Sequence, residues 1–339
     1  VFKVKRDGRL KSRLCVQGCS QAAGVDYDQT FSGALRAPSL RVLASLAARN
    51  GFRLRRWDFV SAYLQGELES GEAVYCRAPP GYERKDEAGY EMCCKVVKPV
   101  YGMAQAGRRW QRTLFPWLCD FGFTQCESES CMFHMRRDMP QPDGTSRSER
   151  LVVGVYVDDL CIAYEHDDSS SLYASFAAAL GKWNVEDEGD LTDLLNVDFT
   201  LEDGCVVLRQ SKYIQKMVET YLDGGAASAN SNNHLPYTKD LDSLVTDAMS
   251  QSVDDVEPTL LRSFQSIVGA LLYCACNTRP DIAYPVGMLS RAMARPTPEL
   301  LEAAQRVLRY LYRTRDLGLR YERSDTPLHG YTDSDWGVK

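Results

Sequence analysis

Apolar and polar positions in this chain follow two periods. An apolar run from Leu151 to Val157 and a second from Leu160 to Ala163 flank two adjacent aspartates, Asp158 and Asp159. β-Branched and aromatic density on both sides predicts two buried strands, and the short acidic break predicts a tight hairpin turn. A second strand-like stretch, Arg56 to Leu64, is interrupted by Asp58. Helical spacing governs much of the rest. Pro38-Ser39-Leu40 opens a helix with Leu40, Leu43, Ala44, Leu46 and Ala47 apolar and Asn50-Gly51 at its end. A helix near Gln105 to Phe121 is expected to be interrupted by Pro116. Asp167 or Asp168 should cap a helix reaching Leu180, with Gly181 as its stop. Ser211 starts another through Ile214, Met217, Val218 and Tyr221. Thr297 caps the last, with Pro298 in its first turn and Leu300, Leu301, Ala304, Val307, Leu308 and Leu311 on one face. The opening segment reads as paired strands, residues 66–98 as loops with short strands, and residues 224–258 as an exposed linker. Helices set against one side of a small antiparallel sheet make an α+β fold.

The acidic positions carry the candidate chemistry. Neighbouring side chains on a regular strand point to opposite faces, so Asp158 and Asp159 can aim at one spot only where the backbone turns. Carboxylate oxygens there suit a hard divalent cation. An Asp-Asp turn is equally ordinary local chemistry, and Asp58 alone could be a strand-end or capping acid. Together the three supply the set that two metal ions need for in-line displacement at phosphorus. Phosphoryl transfer asks for positioning and charge neutralisation rather than covalent help.

Composition narrows the setting. With 339 residues and 44% hydrophobic content, the chain can bury a large core, and two or three domains are expected. No apolar run approaches a membrane span and the N-terminus is no signal peptide, so a soluble intracellular protein is the expectation. The twelve cysteines are scattered, and neither Cys93-Cys94 nor Cys126, Cys131 and His134 has a paired zinc spacing. The formal charge of −6 is unevenly spread. Residues 1–56 carry +9 and residues 261–339 carry +3, against −4 for residues 57–163 and −14 for residues 164–260. Phosphate binding needs such a concentration of positive charge.

Nine stretches then fall in a telling order: Lys11-Ser12-Arg13-Leu14 with Gln17-Gly18; Asp26-Tyr27 with Thr30-Phe31; Trp57-Asp58 through Gly66; Val74-Tyr75 with Pro79-Pro80-Gly81-Tyr82; Tyr101-Gly102 with Gln105-Ala106 and Trp110; Tyr156 to Leu160; Ser211-Lys212-Tyr213-Ile214; Thr278 to Ile282; and Arg306 to Leu311. Through them the chain resembles the reverse transcriptase of copia-type (Pseudoviridae) LTR retrotransposons. The resemblance implies a right-hand polymerase, with fingers and palm over 1–223, a linker over 224–258 and a helical thumb or connection over 259–316. Residues 317–339 would begin a truncated RNase H-like domain whose first strand is Tyr331 to Trp336. Asp58, Asp158 and Asp159 would be the catalytic carboxylates, holding two Mg²⁺ ions, or Mn²⁺ in their place, with the backbone carbonyl of Phe59. Lys11, Arg13, Ala62, Tyr63, Tyr101 and Gly102 would meet the incoming dNTP, Tyr63 as the ring that excludes a 2′-hydroxyl. The alternatives are a core-packed Tyr63 and a solvated strand face for Lys11 and Arg13. Tyr156, Val157 and the stripe Arg306, Arg309 and Arg313 would touch nucleic acid, although such a stripe is also an ordinary solvated helix face.

Asp333 would be a lone RNase H acid without its partners, so no RNase H activity is expected. The implied partners are an RNA template, a DNA primer and product, dNTPs, a tRNA-type primer, and the protease, integrase and RNase H modules of a parent polyprotein, without a membrane. The implied place is the cytoplasm, within virus-like particles, with nuclear delivery of the product. Ala104, Gly107, Asn196, Cys15 and Cys19 depart from the family's usual residues, and an inactive nucleic-acid-binding remnant is the rival.

Overall fold

The computed structural model describes residues 2–4, 8, 10–225, 235–250, 252, 256–324, 326 and 329–332. It is a mixed α/β chain with antiparallel sheets, divided into two compact units: residues 1–43 with 52–191, and residues 44–51 with 192–339.

The first unit opens with β1 (Phe2–Val4) paired to β2 (Leu10–Ser12). The helix α1 (Ala37–Asn50) buries Leu40, Leu43, Ala44 and Ala47 and ends at Gly51, whose φ of +69° breaks the helix. There follow β3 (Arg53–Phe59), the single turn α2 (Ala62–Gln65), the hairpin of β4 (Val74–Arg77) and β5 (Cys93–Val96), and α3 (Ala106–Phe121). The chain continues through β6 (Thr124–Gln125), β7 (Met132–Pro140), β8 (Ser146–Tyr156), β9 (Asp159–Tyr164), α4 (Leu172–Leu180) and β10 (Val185–Asp190). Six strands form one antiparallel sheet in the order β10-β3-β9-β8-β7-β6.

Alternation along these strands decides the two faces. Leu151, Val153 and Val155 of β8, Leu160 and Ile162 of β9 and Phe59 of β3 join Trp110, Leu114 and Leu118 of α3 and Leu172, Phe176 and Leu180 of α4 in one buried cluster. Both helices contribute at four-residue spacing, which keeps their apolar residues on one stripe. Full burial of each such side chain is worth about 1.5–3 kcal/mol. A one-residue slip of β8 or β9 would turn these residues to the other face, so the core fixes the register that places the acids.

Two helix boundaries differ from expectation. Pro116 does not interrupt α3. Pro116 and Arg112, whose carbonyl loses its donor, both lie on the exposed side, where water can replace the missing bond. The cap of α4 is Ser171, which accepts from the Ala174 N–H at 3.1 Å. Asp168 instead accepts from the Ser170 N–H and holds the turn before it.

The second unit contains β11 (Asp193–Leu194), β12 (Val197–Glu202), β13 (Cys205–Arg209), α5 (Ser211–Tyr221), α6 (Leu241–Met249), α7 (Pro258–Asn277), α8 (Ala283–Arg291), α9 (Pro298–Arg313) and β14 (Leu319–Tyr321). The four strands form an antiparallel sheet in the order β11-β12-β13-β14. Its first two hairpins turn on Leu195-Asn196, with φ +54° and +59°, and on Asp203-Gly204, with φ +50° and +76°. Positive φ at both loop positions is the type I′ requirement. Asn196 therefore fills a position where glycine is easy and asparagine acceptable, and the Tyr273 hydroxyl donates to the Leu195 carbonyl beside it.

Among the described residues, α5 to α9 supply the core of this unit, including Ile214, Val245, Phe264, Ile267, Val268, Leu271, Val286, Leu300, Val307, Leu308 and Leu311. Thr297 caps α9 as expected. The segment expected as a linker contains α6, whose Leu241, Val245 and Ala248 are buried; apolar residues spaced by three and four among many acids hid the helix. By length and composition α7 is the one helix among the described residues apolar enough to cross a membrane, contrary to the expectation of no such run. Its Phe264, Ile267, Val268, Leu271 and Cys274 pack in this core along one face, and 28% of the apolar stretch is buried. The Thr278 to Ile282 motif ties the same unit together: buried Arg279 hydrogen-bonds both oxygens of Asp281, at 2.9 and 2.7 Å, and the Thr314 carbonyl at 3.0 Å. Tyr331 and Thr332 form no strand, and the rest of the expected RNase H strand, Asp333 included, lies outside the described residues.

Candidate active site

The sheet of the first unit has one face against its core, and the acids lie on the other. On β3, Arg56 and Asp58 alternate with Arg55, Trp57 and Phe59. Across the strands Glu186, Asp58, Asp159 and Tyr156 stand opposite one another in a single row, and directly opposed residues share a face. Asp158 joins this row from the turn between β8 and β9. Val157 and Asp158 make that two-residue turn, and Val157 has φ +56°, a costly conformation for a β-branched residue. Both turn carbonyls are held from outside. The Trp110 indole donates to Val157 O at 2.6 Å, and the Phe59 N–H donates to Asp158 O at 2.8 Å. These bonds fix the turn against the core helix and against β3, on which Asp58 sits.

Charge in the row is unbalanced. Burial, then the Asp158 and Asp159 carboxylates, push the Asp58 carboxyl up to about 6, with Arg56 opposing. Burial likewise raises Asp159, although Arg56 donates to it from Nε at 2.8 Å. One carboxylate oxygen each from Asp58, Glu186 and Glu188 lie within 4.8 Å of one another. Among the described residues this is the close acidic group, rather than Asp58 with Asp158 and Asp159. Crowded carboxylate oxygens with a raised carboxyl fit a hard divalent cation, which would relieve their repulsion.

A second set of expected residues gathers next to the acids. Tyr63 follows α2's start and its ring lies 4.6 Å from that of Tyr101; the Arg13 guanidinium lies 4.4 Å over the Tyr101 ring. Burial and then the Asp158 charge raise the phenol pKa of both tyrosines. Gly102 has φ +92°, and a Cβ there would meet Val16 O at 2.1 Å; at Gly18 it would meet Gly102 O at 2.0 Å. Two glycines thus let the segment carrying Arg13 lie on the Tyr101 loop, where the Val16 N–H donates to Tyr101 O at 2.9 Å. Ala62 is fully buried beneath the site. Lys11 pairs with Lys3 in β1–β2, and its side chain lies outside the described residues. In the second unit Arg309 is ion-paired with Glu302 at 2.8 Å and Arg306 is half-buried, so of the expected basic stripe Arg313 is the exposed member.

The sequence did not point to Glu186, Glu188 or Arg56. The acids lie on a polar edge strand that reads as a loop, whereas Arg56, two residues before Asp58, follows directly from strand alternation.

The description "Reverse transcriptase (RNA-dependent DNA polymerase)" belongs to the family model that matches residues 1–231. The chain belongs to the reverse transcriptase family. It is 32% identical over 338 residues to the retrovirus-related Pol polyprotein from transposon RE1 of Arabidopsis thaliana, covering 98% of this chain and 21% of that protein. It is 31% identical to the Pol polyprotein from transposon TNT 1-94 of Nicotiana tabacum, covering 99% of this chain and 24% of that one. The transposon Ty5-1 protein of Saccharomyces cerevisiae is 31% identical over 83% of each chain. The chain thus spans between a fifth and a quarter of the two plant polyproteins and resembles the reverse transcriptases of copia-type elements. No solved structure matches it.

Proposed function

We propose that the chain is an RNA-directed DNA polymerase that adds dNTPs to a primer 3′-hydroxyl on an RNA or DNA template. The observation that carries this is the row of Glu186, Asp58 and Asp159, with Asp158 presented on the pinned turn, inside a chain of reverse transcriptase family. Asp58 and Asp158, with the Phe59 carbonyl, would hold Mg²⁺ or Mn²⁺, and Asp159 would add supporting charge. Bound there, the metal supplies activation of the 3′-hydroxyl and neutralisation of the pyrophosphate. Tyr63 offers a rigid ring to the sugar and crowds a 2′-hydroxyl. Arg13, stacked on Tyr101, would meet the triphosphate, with Lys11 on the same strand pair. Gly102 keeps the backbone close. Tyr156 and Val157 would face the primer end, and Arg306, Arg309 and Arg313 its backbone.

On this reading residues 1–223 are fingers and palm, residues 259–316 the thumb or connection of a right-hand polymerase, and residues 317–339, with Asp333, the start of an RNase H-like domain. The partners are the RNA template, the DNA strand, a tRNA-type primer and the other modules of a Pol polyprotein, and the setting is a virus-like particle in the cytoplasm. All three expected acids are present, which favours this over an inactive remnant. An oligo-dT primer on poly-rA, given Mg²⁺ and dTTP, should be extended by the purified chain. Duplex binding without extension would favour the remnant.

A further inference from the structure

We propose that Arg56 is a positioning residue that neutralises Asp159 and keeps it from coordinating metal, leaving Asp58 and Asp158 to hold the cation; this rests on the metal reading above. Arg56 is opposite Cys161 and Asp58 is opposite Asp159, so Arg56 lies diagonal to Asp159 on the same face, within reach of a long side chain. Its Nε and Nη2 both lie 2.8 Å from Oδ1 of Asp159. One carboxylate oxygen thereby takes two charge-assisted contacts, which engage its lone pairs and offset the negative charge a cation would meet there. The side chains are only 24% and 14% exposed, so water screens the pair weakly. Asp159 sits on a regular strand, whereas Asp158 is on the turn. A guanidinium two residues from Asp58 thus decides which carboxylates of the row stay available.

The test is a double-mutant cycle on the full chain, with Mn²⁺ binding measured by electron paramagnetic resonance without nucleotide. Arg56→Gln removes the charge and frees Asp159, so Mn²⁺ should bind about tenfold tighter, the effect of one unit charge a few ångströms away. Asp159→Asn leaves the guanidinium charge uncompensated and should bind about tenfold weaker. The double variant should return to within about twofold of wild type. Arg56→Lys keeps the charge but not the double contact, so its Mn²⁺ affinity should stay near wild type while primer extension slows severalfold. Unchanged Mn²⁺ affinity in Arg56→Gln, or a double variant as weak as Asp159→Asn, would overturn the proposal, the latter by making Asp159 itself a ligand. Arg56→Met, which keeps the apolar stem, takes the place of Arg56→Gln if that variant does not fold. A folded wild type that binds no Mn²⁺ would instead remove the metal reading on which the proposal stands.

Discussion

Single side chains in the first unit are tied down by charge and by the absence of a Cβ. Glu129 is nearly buried and accepts from Ser39 Oγ at 2.7 Å, Arg36 Nε at 2.9 Å and the Cys131 N–H at 3.2 Å. Burial would raise its pKa, but the Ser39 and Arg36 hydrogen bonds outweigh burial and hold the carboxyl below its ordinary 4.5. A group lowered in the folded state stabilises fully above its unfolded value and stops doing so as pH falls through the folded value. Glu129→Gln should therefore cost about 1–3 kcal/mol at pH 7. In urea titrations run at several pH values, the gap to wild type should narrow below about pH 4.5. A gap that is constant down to pH 3 would show that the charge contributes nothing. Gly102→Ala meets both a positive φ and the Val16 carbonyl at 2.1 Å. It should weaken dNTP binding at least tenfold through displacement of the Tyr101 stack, read as a rise in KM, and an unchanged KM would show that the stack does not serve the nucleotide.

Elements differ in how plainly the sequence announces them. The strands beside Asp158-Asp159 and the helices ending at Gly51 and Gly181 follow from apolar period and punctuation and are present, but the hairpin turn is Val157-Asp158, so Asp159 begins β9 rather than sharing the tip. The edge strand β10 is illegible because Glu186, Asp187 and Glu188 give no apolar alternation, and two of the three members of the close acidic group, Glu186 and Glu188, are hidden with it. The α6 helix was masked by acidic, turn-favouring neighbours, and its stability comes from packing of Leu241, Val245 and Ala248 rather than from propensity. Asn196, marked in the sequence as a departure, is compatible with the hairpin's backbone. In thermal melts Asn196→Gly should stay within about 0.5 kcal/mol of wild type, whereas Asn196→Val should lose about 1–2 kcal/mol. Equal melting of both variants would deny that the turn needs a left-handed residue.

For the chain as a whole, the proposed function requires a net-negative protein to bind a polyanion. Residues 1–56 carry +9 within a total of −6, so template–primer affinity should fall steeply with salt. With each phosphate contact contributing about −0.9, the slope of log affinity against log salt should be steeper than about −3. A flat dependence in fluorescence anisotropy would mean that the basic segment does not meet the duplex. Within the proposed function, Asp58 and Asp158, on β3 and on the pinned turn, would carry nucleotidyl transfer. Primer extension on an RNA template with Mg²⁺ tests it most directly, comparing wild type with Asp58→Asn, Asp158→Asn and, as a control at an exposed acid of α3, Asp120→Asn. Wild type and Asp120→Asn should extend the primer within about threefold of each other, and the Asp58 and Asp158 variants should each lose about 10³-fold or more, some 4 kcal/mol in the barrier. Extension by Asp58→Asn or Asp158→Asn at the wild-type rate would contradict the account.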